Sequence, residues 1–94
     1  MSSPSHRIIV TVVGHDRTGI IAEVTRALAD AGVNVLDISQ TLLGEFFVMI
    51  LLGDMARATV GLDVLKASLA QKAQALGLRI DAQHEDVFKF MHRV

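Results

Sequence analysis

The sequence contains no cysteine, no tryptophan and no tyrosine, and only one proline. Without cysteine the chain can form no disulfide, and it offers no thiolate as a nucleophile or a metal ligand. Positive charge is scarce too: nine Lys and Arg residues are balanced by ten Asp and Glu, without a basic cluster. Because protein surfaces that bind nucleic acid require basic patches and aromatic stacking platforms, we expect no nucleic-acid partner.

Long apolar runs are also missing. No segment approaches the ~20 residues that a membrane-spanning helix requires, and Met1–Arg7 lacks the basic-then-apolar order of a signal peptide. We therefore expect no membrane partner and a cytoplasmic location. A chain of 94 residues corresponds to one domain, and we divide it into a flexible N-terminus (1–6), a folded domain (7–85) and a helical tail (86–94).

Apolar residues, in contrast, are abundant: they make up 51% of the chain, and the mean hydropathy is +0.45. So small a domain buries only a modest share of its surface, and self-association is the simplest cover for the surplus. We predict a homodimer or a larger homo-oligomer. The alternative is a monomer in which the C-terminal segment alone covers the apolar surface.

The first half of the chain is predicted to form a strand, a helix and a hairpin. Five of the six residues Ile8–Val13 are apolar and β-branched, as in a strand. Apolar residues at helical spacing then follow from Ile20, with Gly32 in the left-handed position after the helix. Val33–Leu43 contains a phase slip that indicates a β-bulge or a late strand start, and Gly44-Glu45 turns the chain into Phe46–Leu52.

The second half of the chain is predicted to form a second helix and a fourth strand. A helix begins at about Thr59 and is closed by Gly77. Leu78–Glu85 alternates apolar and polar residues as a half-exposed strand does, and Asp86–Val94 has the spacing of a short helix.

This order, β-α-β-β-α-β, predicts an α+β ferredoxin-like fold. Right-handed crossovers place the four antiparallel strands in the order 4-1-3-2, with two helices on one face. The apolar first and third strands suit the centre of the sheet, and the more polar second and fourth strands suit its edges.

The segment between the first strand and the first helix is the best candidate for a binding site. Unpaired N–H groups at a helix N-terminus favour an anion, and neighbouring carboxylate and amide oxygens suit an ammonium group. An α-amino acid presents both charges. The candidate ligand-binding residues are Gly14, His15, Asp16, Arg17, Thr18, Gly19, Ile20 and Asn34.

These residues also have explanations that involve no ligand. Asp16 or Thr18 can cap the helix, and Gly14 and Gly19 can serve the geometry of the turn. Asn34 can bond to a neighbouring loop, and Arg17 can be a solvated charge. The spacing alone leaves both interpretations open.

Two motifs resemble those of the ACT domain family. Val12–Ile21 resembles the D-R-x-G-[IV] turn that joins a strand to a helix in ACT domains, with Thr18 in place of the usual proline. Ala31–Val35 resembles the G-V-N-I start of their second strand. Asp37–Thr41 and Phe88–Met91 are typical of short stand-alone ACT proteins. The chain is also similar to the N-terminal ACT domains of formyltetrahydrofolate deformylase and of the glycine-cleavage repressor.

The resemblance implies a regulatory module rather than an enzyme, with no cofactor. Its ligand, an amino acid or a related metabolite, would bind where the first loop of one chain meets the second strand of another. Polar side chains occupy the positions of Gly14, Asp16 and Asn34 in serine-sensing members. Gly14 has no side chain, which disfavours serine and points to a smaller or different ligand. A partner enzyme or regulator would read the signal.

Three other functions compete with this one. An assembly module could pair its edge strands into an eight-stranded sheet without any ligand. A metal could bind near His15 and Asp16, although no histidine spacing matches an established site. Acylphosphatases share the topology and use an arginine and an asparagine, which Arg17 and Asn34 echo; their glycine-rich loop is missing here, and fold alone does not determine function.

Overall fold

The computed structural model describes residues 6–15 and 19–87. Its elements are β1 (Arg7–His15), α1 (Ile20–Asp30), β2 (Asn34–Leu43), β3 (Phe46–Asp54), α2 (Leu62–Leu76) and β4 (Arg79–His84). The strands form one antiparallel sheet in the order β2-β3-β1-β4. The ferredoxin-like fold and the predicted strand order are therefore confirmed.

Alternate residues of the two central strands point into the core. In β1 the buried apolar residues are Ile8, Val10 and Val12, and in β3 they are Phe47, Met49 and Leu51. The helices cover this face of the sheet with Ile20, Val24 and Leu28 from α1 and Leu65 and Leu69 from α2. The period of two in the strands and of three to four in the helices thus converges on one core.

Both helices end at glycines in the left-handed conformation, as predicted. Gly32 follows α1 with φ +78°, and Gly77 caps α2 with φ +69°. The N–H of Val33 donates to the Leu28 carbonyl at 2.9 Å, and the N–H of Leu78 donates to the Ala73 carbonyl at 2.8 Å. These bonds satisfy carbonyls that a helix C-terminus would otherwise leave without partners.

The hairpin and the phase slip were also predicted. Gly44 has φ +64°, and Leu43 pairs with Phe46 across the two-residue turn, as a glycine at the first central position allows. The register of β2 against β3 shifts between Val35 and Asp37. The slip in the apolar pattern is thus a β-bulge, which leaves Leu36 without a register partner.

Several predicted boundaries were wrong by a few residues. The first strand continues through Gly14 and His15, which pair with β3. The third strand extends to Asp54, followed by a bond from the Met55 N–H to the His6 carbonyl at 2.8 Å. The second helix begins at Leu62 rather than Thr59, because the Thr59 N–H donates to the Ala31 carbonyl at 2.9 Å and fixes the loop.

The face of the sheet opposite the helices is apolar along its centre. Val13, Ile50 and Phe46 lie there with 37%, 41% and 42% of their surface exposed. Residues 85–87 are helical, as the predicted tail requires, but the rest of that tail lies outside the described residues. The described part of the chain therefore exposes apolar surface on this face, as the sequence predicted.

Candidate functional site

The end of β1 carries the first two predicted site residues. Gly14 is buried and pairs with Phe47, while His15 is exposed and pairs with Phe46. The His15 and Phe46 rings lie 5.3 Å apart between centroids. Both residues thus belong to the sheet rather than to the loop that the sequence indicated.

Gly14 has a packing role that the sequence did not reveal. A β-carbon at this position would collide with the Leu78 side chain, which lies over Gly14 and is partly buried against the core. Leu78 therefore occupies the space that a side chain at position 14 would need. This is the position at which serine-sensing ACT domains carry a polar side chain.

The start of α1 provides backbone donors at the same end of the sheet. Gly19 is the N-cap with φ +90°, and its carbonyl accepts the Glu23 N–H at 2.9 Å. The side chain of Ile20 is buried in the core, so this residue can offer a ligand only its backbone. Asp16, Arg17 and Thr18 lie outside the described residues.

Asn34 lies at the opposite end of the sheet. It pairs with Asp54 at the end of β3, whereas Gly14 pairs with Phe47. The two positions on β3 are separated by about 23 Å, at ~3.3 Å per residue. One chain therefore does not bring Asn34 to the loop that follows β1.

The side chain of Asn34 is also available. It is exposed, and within the described ranges it forms no hydrogen bond to a protein group. No hydrogen bond in residues 6–15 and 19–87 thus supports the interpretation that the Asn34 side chain bonds to a neighbouring loop.

The edge strand β2 exposes large apolar side chains. Leu36, Ile38, Leu42 and Leu43 have 46%, 38%, 61% and 68% of their surface exposed. Monomeric proteins usually shorten, charge or cover such an edge, because its free N–H and C=O groups invite another strand. β2 has ten residues and contains only one charged side chain, Asp37.

A cleft at the Asn34 end of the sheet contains two charged residues that the sequence analysis missed. Its volume is about 510 Å³, and Asp54 and Arg57 line it together with Asn34. The register across the bulge places Asp54 beside Asn34. Since the bulge determines that register, the sequence pattern alone could not predict that Asn34 and Asp54 are neighbours.

The part of the chain that the structure describes contains no group of three or more His, Cys, Asp or Glu residues that could hold a metal ion. None of its helices is long and apolar enough to cross a membrane. His84 has a local role: its Nδ1 accepts the Asp86 N–H at 3.1 Å.

The fold is that of regulatory ferredoxin-like domains, and the family model described as "ACT domain" matches residues 6–83. The chain belongs to the ACT domain family, whose members are regulatory modules that bind small molecules.

Relatives of similar length support this assignment. A UPF0237 protein of Methanocaldococcus jannaschii is 46% identical over 88 residues, which cover 94% of this chain and 98% of that protein. The structure of an ACT domain protein from Streptococcus pneumoniae superimposes with a TM-score of 0.80 at 32% identity, covering 92% of this chain and 97% of the other.

The predicted likeness to two larger proteins is also confirmed. A formyltetrahydrofolate deformylase from Pseudomonas putida matches in fold with a TM-score of 0.74 at 18% identity, covering 83% of this chain and 28% of its own. A candidate glycine cleavage system transcriptional repressor matches with a TM-score of 0.72 at 25% identity, covering 84% of this chain and 47% of its own.

Proposed function

We propose that this chain is a cytoplasmic, non-catalytic sensor that binds a small amino acid between two copies of itself and signals to a separate partner protein. The observation that supports this most directly is the separation of the candidate residues. Asn34 and the β1–α1 loop lie at opposite ends of one sheet, so they can share a ligand only if they come from different chains.

Pairing of two β2 strands would bring them together. In an antiparallel pairing across a two-fold axis, the Asn34 end of one β2 lies beside the Leu43 end of the other. Leu43 pairs with Phe46, which pairs with His15 at the start of the β1–α1 loop. Each interface would then present two equivalent sites, each built from both chains.

The chemistry of such a site suits an α-amino acid. The N–H groups around Gly19 and Ile20 open α1 and can donate to the carboxylate. Asp16 of the same loop and Asn34 of the second chain would accept hydrogen bonds from the ammonium group. A ligand that bridges two chains stabilises the pair by mass action, and a partner can read that change.

The test is a thermal-shift screen of the pure protein against the twenty amino acids and common divalent metals, with the mass followed by light scattering. We expect one or two amino acids to raise the Tm, and this rise to disappear in Asp16→Ala and in Asn34→Ala. If both variants unfold without ligand, their role is structural, and the proposed site is wrong.

A ligand-free assembly module is the second candidate, because the exposed leucines of β2 favour association by themselves. A stable dimer whose Tm does not respond to any compound of the screen would favour it. A pull-down with the dimer would then identify its partner protein.

A further inference from the structure

The open face of the sheet, on the side opposite the helices, carries an apolar strip along its two central strands. Ile9 of β1 pairs with Leu52 of β3, and Ile50 lies two residues from Leu52 on the same face. Ile9 and Leu52 are half-buried, whereas Ile50 is exposed. We propose that residues 88–94 of the same chain continue the helical turn at residues 85–87 and lie on this strip.

The segment after β4 is attached to the open face. Ile8 is buried under the helices, so its neighbours Arg7 and Ile9 belong to the opposite side of β1. The buried Glu85 accepts hydrogen bonds from the Arg7 Nε and Nη2 at 2.9 and 2.6 Å. The chain therefore leaves β4 on the side of the strip and not on the side of the two helices.

The exposure of the first helical residues indicates which side of the continued helix meets the sheet. Glu85 is buried, while Asp86 is exposed. Residues three or four apart lie on the same side of a helix. Phe88 and Met91 therefore follow Glu85 on the side that faces the sheet. Phe90 lies four residues after Asp86, on the side that faces away.

The rise of a helix places Met91 over the strip. A helix advances 1.5 Å per residue, so Met91 lies about 9 Å beyond Glu85, which is bonded to Arg7. Ile50 is about 13 Å from the level of Arg7 along the strands, at ~3.3 Å per residue. Phe46 is about 26 Å from that level. Met91 is thus close to Ile50 and far from Phe46.

Charge complements the apolar contact. Residues 88–94 contain three basic side chains, Lys89, His92 and Arg93, and no acidic one. Asp37, the register partner of Leu52, lies beside the strip and forms no ion pair within residues 6–15 and 19–87. A basic segment therefore lies next to an acidic position of β2. This attraction is small at an exposed site, and the apolar contact provides most of the stability.

Covering the strip also affects how two copies can meet. Two sheets cannot pack face to face where residues 88–94 lie between them, whereas the β2 edge stays available for a second copy. This arrangement does not depend on a ligand, so it can be tested independently of the amino-acid site between chains.

The test is cross-linking of the full chain, which contains no native cysteine. Met91→Cys is combined with Ile50→Cys in one variant and with Phe46→Cys in the other. Ile50 and Phe46 lie on the same face and are 41% and 42% exposed, so they form a matched pair. A short bismaleimide should link the Ile50 variant about tenfold more than the Phe46 variant, because the reagent cannot span the longer distance.

Denaturing gels and peptide mass spectrometry show whether each link lies within one chain or between two. We expect the link in the Ile50 variant to lie within one chain. Equal yields in the two variants, a link only between chains, or no link in the Ile50 variant would each overturn the proposal.

A second measurement uses no introduced cysteine. Met91→Lys places a charge against the strip, and we expect it to lower the Tm by about 4–8 °C. Phe90→Lys introduces the same charge one residue earlier, on the side of the helix that carries Asp86, and should lower the Tm much less. An unchanged Tm in Met91→Lys, or an equal fall in Phe90→Lys, would contradict the proposed contact.

Discussion

Three glycines differ in what a side chain would meet at each position. At Gly32 the φ angle is +78°, and a β-carbon would lie 2.9 Å from the Arg57 carbonyl oxygen. Gly44 also has a positive φ but has open space around it, and Gly61 has a φ of −78° and open space. Backbone strain and steric collision can therefore be separated within one chain.

We expect Gly32→Ala to lower the free energy of unfolding most, by about 2–4 kcal/mol, because strain and collision add. Gly44→Ala should cost about 1 kcal/mol from strain alone. Gly61→Ala should change stability by less than about 0.5 kcal/mol. Urea unfolding of the three variants measures the order, and equal losses at Gly32 and Gly44 would contradict the close packing of the loop on α1.

Arg7 and Glu85 form an ion pair between the start of β1 and the segment after β4. The Arg7 Nε and Nη2 donate to the two carboxylate oxygens at 2.9 and 2.6 Å, and Glu85 is buried. Hydrogen bonds to a buried charge are stronger than those on the surface. The sequence analysis assigned no role to either residue, because nothing local relates positions so far apart in the chain.

Glu85→Gln removes the charge but keeps the size of the side chain, and we expect it to lower the free energy of unfolding by about 1–3 kcal/mol. Asp81→Asn, in an exposed pair with Arg79, should have an effect below about 1 kcal/mol. Urea unfolding compares the two. Similar losses in both variants would show that the burial of Glu85 adds nothing to the strength of its pair with Arg7.

At the scale of single residues, the sequence was informative where geometry is local. The left-handed glycines after both helices follow from chain position and composition, and they were predicted correctly. Gly14 was assigned to a loop, because its packing against Leu78 joins two residues far apart in the chain. The cleft with Asp54 and Arg57 was missed for the same reason.

Among the described elements, β2 exposes the largest number of large apolar side chains. Its middle residue Ile38 is 38% exposed. In a two-fold antiparallel pairing, residues at the centre of one β2 lie close to their counterparts in the other. A lysine there would place two like charges near each other, and such pairs are destabilising across strands.

We therefore expect Ile38→Lys to convert the oligomer to a monomer while the circular dichroism spectrum of the fold is retained. Val64→Lys, which charges a more exposed apolar position on α2, should leave the oligomer intact. Light scattering or sedimentation gives the mass. An Ile38→Lys variant that still associates as the unmodified protein does would exclude β2 pairing as the contact.

The type and order of the elements could be predicted because each carries its own periodicity. The β-bulge was visible as a slip of that periodicity in β2, and the central strands as runs of apolar residues. The start of α2 could not be predicted, because Thr59 is held by Ala31, a partner 28 residues earlier. Contacts of this kind override local propensity.

For the molecule as a whole, two apolar surfaces are exposed in residues 6–15 and 19–87: the β2 edge and the face that contains Val13, Phe46 and Ile50. The sequence indicated that some cover is needed but did not choose between edge pairing and face packing. Edge pairing would also bring Asn34 of one chain to the β1–α1 loop of the other. The site and the assembly are therefore one hypothesis.

The most direct test of this account is a complementation experiment with two variants that are each unable to bind the amino acid found in the screen. Asp16→Ala disables the loop, and Asn34→Ala disables the second strand. In a mixed dimer, one of the two sites combines the intact loop of one chain with the intact Asn34 of the other. Random mixing of equal amounts should restore about one quarter of the original sites, because half of the dimers are mixed and each has one intact site.

The measurement is titration of the refolded mixture with that amino acid, with each variant alone as the control. The account predicts no binding by either variant at this site and about a quarter of the original stoichiometry in the mixture. No recovery in a mixture that has been shown to contain mixed dimers would contradict a site shared between two chains.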